Sequence, residues 1–127
     1  MTDETNREPA RDPQDLEQLL VARQRAGDVE GMVALFEPDA VIDSADGRLT
    51  RGTEAIRAFF VELVASGRKF QQGEQRPATI SGELALTSTN SVNGSVTAEV
   101  ARRQADGTWL WVIDLYAIAQ RTDSKSS

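Results

Sequence analysis

The hydrophobic period of this chain changes once, at Gly67, and that change limits the architectures open to it. Before Gly67 apolar residues recur at helical spacing; after it they fall in short extended segments divided by turn formers. Helices first and a run of strands afterwards predict an α+β domain on an antiparallel sheet, not the alternating units of a parallel one. The 127 residues suit one domain.

In the helical half, Asp12 and Pro13 suit the start of a first helix, Leu16, Leu19 and Leu20 share a face, and Gly27 ends it. Asp28 caps a short second helix striped by Val29, Met32, Val33 and Phe36, which Pro38 stops. Ala40–Ser44 reads as a strand and Asp46-Gly47 as a turn. A third helix opens at Gly52 or Thr53. Its Ile56, Phe59, Phe60, Leu63 and Val64 follow i, i+3, i+4, i+7, i+8 spacing, and Gly67 closes it.

Four extended segments follow, at 69–80, 84–91, 96–103 and 109–120, with Pro77 marking a bulge or edge in the first. Regular alternation puts Trp109, Trp111, Ile113 and Leu115 on one face of the last strand, and Leu110, Val112, Asp114, Tyr116 and Ile118 on the other. Both faces are apolar, and three helices cover only one. A second subunit over the other face, in a two-fold homodimer, is the expected solution. Residues 1–11 and 121–127 are polar and read as disordered tails around a domain at 12–120.

Composition removes whole classes of chemistry. With no cysteine and no histidine there is no disulfide, thiolate nucleophile, imidazole base or thiolate or imidazole metal ligand. Proton transfer near neutral pH falls to a carboxylate, a lysine or a tyrosine with a shifted pKa. Asp39, Asp43 and Asp46 lack the spacing of a calcium loop, so no metal and no cofactor is expected. A net charge of -6 argues against nucleic acid and anionic membrane as partners, and no apolar run is long enough to span a bilayer. The acidic start and the absence of cysteine fit a cytoplasmic protein.

Several segments resemble the nuclear transport factor 2-like superfamily, closest to its SnoaL-like group of bacterial proteins, cyclases and isomerases. They are Ala26–Phe36, Pro38–Ile42, Arg51–Phe60, Ile80–Leu86, Glu99–Arg103 and Asp106–Trp109, spread over roughly residues 14–119. The resemblance implies a cone: three N-terminal helices on a bent sheet, an apolar pocket inside, and a dimer. It also implies candidate positions. The base of the superfamily's steroid isomerases falls on Ser44, which has no useful basicity, and their helix-one tyrosine on Leu20. Their oxyanion carboxyl falls on Glu99. The alternative for Glu99 is an ion pair with Arg57, Arg102 or Arg103 at the sheet surface.

Asp114 is the most informative residue, because an acid inside an apolar strand is costly unless paired or hydrogen-bonded. Alignment with the isomerases through Asp106-Gly107 puts it on the pocket face with Leu110, Val112 and Tyr116. A lone carboxyl in a dry pocket has its pKa raised toward neutrality, which suits proton transfer beside a carbonyl. The other reading is that it holds an arginine or tyrosine and does no chemistry. Candidate catalytic residues are therefore Asp114, Glu99 and Tyr116. Candidate ligand contacts are Leu20, Ser44, Phe60, Leu110 and Val112, with Phe60 first of all a core residue. The expected ligand is a small apolar molecule such as a ketone or polyketide, for an isomerase or cyclase or for a non-catalytic binding or dimerisation module. Epoxide hydrolysis, which needs an Asp-Arg-Asp arrangement, ranks last.

Overall fold

The computed structural model describes residues 7–120. Three helices, α1 (Asp15–Ala26), α2 (Val29–Val33) and α3 (Thr53–Ala65), pack on one face of an eight-stranded sheet. The strands are β1 (Phe36–Asp43), β2 (Leu49–Arg51), β3 (Glu74–Gln75), β4 (Thr79–Ser81), β5 (Leu84–Thr87), β6 (Thr89–Asn90), β7 (Ser95–Arg103) and β8 (Trp109–Gln120). Their order is β2-β1-β8-β7-β5-β4, with β6 joining β3 to β7. The α+β class stands, with one departure: β1 lies parallel to β8, so the sheet is mixed. Helix α3 and strands β2 to β7 lie between β1 and β8 in the chain, and that long connection permits the parallel neighbour.

The helices begin and end for local reasons. Gly27, at φ 74°, closes α1 in the left-handed conformation that glycine adopts without strain. Asp28 caps α2 by accepting the Gly31 N–H at 3.0 Å. The second helix is shorter than its apolar stripe predicts: Phe36 opens β1 instead of ending α2. Aromatic packing explains the difference, since the Phe36 ring lies 5.2 Å from Trp111 and 5.7 Å from Phe60. Residues Arg7 and Ala10 of the N-terminal lead-in contact the domain. Arg7 pairs with Asp28 at 2.6 Å, and buried Ala10 bridges to Trp109. The expected tails at 1–6 and 121–127 lie outside the described residues.

The last strand carries the main correction. Val100 pairs with Ile113, but the next residue, Ala101, pairs with Trp111. One extra residue, Val112, is therefore inserted in β8, and the inside-outside alternation flips across it. Trp109, Trp111 and Asp114 all face the helices, at 6 %, 1 % and 4 % exposure, while Ile113 turns outward. The regular alternation expected for this strand separates Trp111 from Asp114; the bulge reunites them.

Phe60 anchors the core from α3, fully buried and in ring contact with Phe36 and Phe59. Phe60→Ala should lower the unfolding free energy by about 3–5 kcal/mol. Val61→Ala, at an exposed position on the same helix, should change it by less than about 0.5 kcal/mol. Urea denaturation of the two variants measures both.

Candidate functional site

Between α1 and the inner face of β7 and β8 lies a cavity of about 290 Å³. That is near the lower end of the roughly 300–1,000 Å³ usual for small-molecule sites. Helix α1 contributes Glu17 and Leu20, one turn apart. Ser95, Thr97 and Glu99 alternate along β7, and Asp114 and Tyr116 along β8. The segments Arg68–Gln71 and Ser91–Asn93 form the rest of the lining. Gln24 of α1, buried, clamps the first of these: its Nε2 donates to the Arg68 carbonyl at 2.6 Å and its Oε1 accepts the Phe70 N–H at 2.7 Å.

Glu99 and Asp114 are direct partners across the β7–β8 pair, where opposed Cβ atoms stand about 4.5–5.5 Å apart. Both are buried, at 3 % and 4 % exposure. The Thr87 hydroxyl donates to Glu99 Oε1 at 2.7 Å. No described residue hydrogen-bonds or ion-pairs with Asp114. The arginines that could have neutralised Glu99 are engaged elsewhere: Arg57 with Glu30 and Glu54, Arg102 with Glu37, Arg103 with Glu83. The Tyr116 hydroxyl is buried with no hydrogen-bond partner, its ring edge-on to Phe59 at 5.9 Å.

Burial without a cation governs the protonation of this cluster. Desolvation, then the charge of Glu99, pushes Glu17 up to about 7. Desolvation raises Glu99 against the opposing pull of the Thr97 and Thr87 hydroxyls. Asp114 is pushed well above the carboxylate range by burial first, then by Glu99 and Glu17. Burial, followed by the charge of Asp114, raises Tyr116 as well. Near neutral pH the three acids hold protons among themselves as one coupled system.

The structure thus brings together Asp114, Glu99, Tyr116 and Leu20. Four other candidates do not line the cavity. Ser44 sits in the turn beyond β1, its N–H bonded to the Arg48 carbonyl. Phe60 is core. Leu110 and Val112 lose the pocket face to the bulge; Leu110 pairs with Arg102 on the side opposite Trp111. The lining is also more polar than expected, with Leu20, Phe70, Val92 and Tyr116 as its apolar and aromatic surfaces. The sequence reading missed Glu17. Its signal was an acid set between Leu16 and Leu20 on the apolar side of α1. Among the described residues no cluster of acids is arranged to hold a metal ion, and no helix is long and apolar enough to cross a membrane.

Helices folded over a mixed sheet with a cavity between them define the nuclear transport factor 2-like, cystatin-like class. Within it, the chain belongs to the SnoaL-like domain family, whose model matches residues 17–122. Solved structures repeat the fold at low identity. A domain from Nostoc punctiforme with a cystatin-like fold superposes with a TM-score of 0.71 at 17 % identity, covering 88 % of this chain and 77 % of its own. A nuclear transport factor 2-like protein from Novosphingobium aromaticivorans gives 0.60 at 20 % identity, covering 80 % and 75 %. A protein of unknown function from Pseudomonas putida, of the same likeness, gives 0.60 at 18 %, covering 87 % of each chain. No protein of curated function matches the chain.

The acid cluster makes stability depend on pH in a definite direction. A carboxyl with a higher pKa in the fold than in the unfolded chain binds its proton more tightly when folded. The contribution of this cluster is therefore fully present below the ordinary carboxylate range and is lost as pH rises from there to about 7, the value for Glu17. Urea denaturation at pH 5.5 and 8.5 should show a loss on the order of 1–3 kcal/mol at the higher pH. Glu17→Gln should flatten that dependence, and Asp114→Asn should raise stability at pH 8.5.

Proposed function

We propose that the cavity binds a small molecule with an apolar body and a carbonyl group, and that Asp114 and Glu99 move protons at that carbonyl, as in an isomerase or cyclase. The observation that carries this reading is Asp114 itself, buried opposite a second carboxyl with no cation on either among the described residues. Repulsion between the two keeps one protonated while the other is ionised. Asp114, raised further than Glu99, is the one that keeps its proton, and Glu99, held by the Thr87 and Thr97 hydroxyls, is the one ionised. Glu99 takes the proton from the carbon next to the carbonyl as Asp114 gives its own to the carbonyl oxygen, to which the Tyr116 hydroxyl also donates a hydrogen bond. Glu99 then returns its proton to another carbon and the enol O–H proton goes back to Asp114, which completes an isomerisation without a cofactor.

A panel of small ketones in deuterium oxide tests this by proton magnetic resonance. The chain should speed deuterium uptake beside the carbonyl of at least one member, and Asp114→Asn should cut that rate about 100-fold or more. An unchanged rate in the variant removes Asp114 from the chemistry. The second reading, a binding module without turnover, is favoured by Leu20 and Ser44 at positions where the steroid isomerases carry reactive groups. It is the better one if ketones bind and no exchange is seen.

The outer face of the sheet supports a two-fold homodimer. Register aligns Leu86, Val100, Ile113 and Val41 in one row across four strands, and Leu84 follows at β5. Leu84, Leu86 and Ile113 are 43 %, 52 % and 44 % exposed, a surface that a second subunit would remove from water. Sedimentation equilibrium should give twice the 13.9 kDa chain mass. Leu86→Glu combined with Ile113→Glu should return the monomer. A wild-type monomer at tens of micromolar would exclude the dimer.

A further inference from the structure

We infer that the cavity recognises a primary ammonium group, held between Glu17, Glu99 and Asp114, with the rest of the ligand lying on Leu20, Phe70 and Tyr116. The inference rests on the reading above that this cavity is a small-molecule site, and it adds the charge of the molecule that fills it. Three carboxyls from three elements, α1, β7 and β8, line one small space. None has a cationic partner among the described residues, although Arg57, Arg102 and Arg103 each find an acid elsewhere. Buried carboxyls are ordinarily paired, so a cluster left without a counter-charge is matched to a cation that arrives from outside.

The Tyr116 hydroxyl supplies the independent observation. Tyr116 lines the cavity, and its hydroxyl is buried with no hydrogen-bond partner, leaving the oxygen able to accept one more N–H. A primary ammonium has three N–H donors and no acceptor, which suits a floor made of carboxylates and one phenol oxygen. Tyr116 and Phe70 also line the cavity, and aromatic rings attract cations. A bare metal ion fits less well, since the acids are not arranged as a metal cluster and the 290 Å³ leaves room for an organic body.

Two cations line the same cavity, and both are exposed at its rim. Lys69 Nζ donates to the Arg25 carbonyl at 3.1 Å, at the end of α1. The Arg68 side chain is exposed to solvent, which weakens its repulsion of an entering amine, although its charge reaches Tyr116 and opposes the rise caused by burial and Asp114. Deeper in, Glu17, Glu99 and Asp114 are the charged groups. Because these acids hold protons near neutral pH, an entering ammonium displaces them. Amine affinity therefore rises with pH until the amine itself deprotonates.

Calorimetric titration of the full chain with cyclohexylmethylamine, cyclohexylmethanol and cyclohexanecarboxylate compares one body carrying three charges. The amine should bind at least about tenfold more tightly than the alcohol, with proton release detected as a difference between phosphate and Tris buffers. Its affinity should rise between pH 6 and pH 8. Glu17→Gln and Asp114→Asn, amide replacements of nearly equal shape, should each weaken the amine about tenfold and leave the alcohol within about twofold. Equal binding of amine and alcohol, tighter binding of the carboxylate through Arg68, or no amine binding up to about 10 mM would each overturn the inference. Amine preference without deuterium exchange removes the catalytic reading alone. Ketone exchange without amine preference removes this inference alone.

Discussion

One inserted residue in the last strand decides what the interior of this protein contains. Without the extra Val112 in β8, Trp111 and Asp114 would face opposite sides of the sheet, because side chains alternate along a regular strand. With it, the strand puts its tryptophans into the core and, a few residues on, its acid and tyrosine into the cavity. The same insertion turns Ile113 outward into the apolar row on the other face. Core, cavity and outer surface share that backbone irregularity, as bulges beside functional sites commonly arrange.

The cavity is assembled from elements that are individually ordinary. Helix α1 brings an acid because Glu17 stands one turn from Leu20, and packing of Leu16 and Leu20 fixes the helix against the sheet. Strand β7 brings a polar stripe, Ser95, Thr97 and Glu99, by simple alternation. The segment after α3 is tied down by Gln24, whose amide satisfies backbone groups on both sides of Lys69. Their convergence leaves three carboxyls sharing little water. Proton retention follows from that electrostatic problem. So do the proposed proton transfer and the recognition of an ammonium, which are two ways of relieving the same repulsion.

Much of the fold was legible from residue pattern. The change of period at Gly67 marked helices and then strands, Gly27 and Asp28 marked helix boundaries, and the stripe of α3 identified Ile56 and Phe60 as buried. Phe36 was misread as helical because an apolar residue at helical spacing carries no sign that an aromatic partner from β8 will claim it for a strand. The parallel placement of β1 beside β8 was hidden for a related reason: strand order is set by packing across the chain, not by local propensity. In the site, Asp114 and Glu99 stood out as acids in apolar surroundings. Glu17 did not, since one acid near the start of a helix also suits the helix dipole.

By itself the sequence determined the kinds of chemistry possible: no histidine or cysteine, hence carboxyls and one tyrosine for any proton transfer. It also determined the class of fold, because hydrophobic period is a local property that each segment carries with it. Only the tertiary structure decided which acids meet. Facing depends on cumulative register, and one bulge reverses every side chain beyond it. The absence of a cationic partner for these acids among the described residues was likewise invisible beforehand. It follows from Arg57, Arg102 and Arg103 finding their acids elsewhere, and that is settled only when the elements have packed.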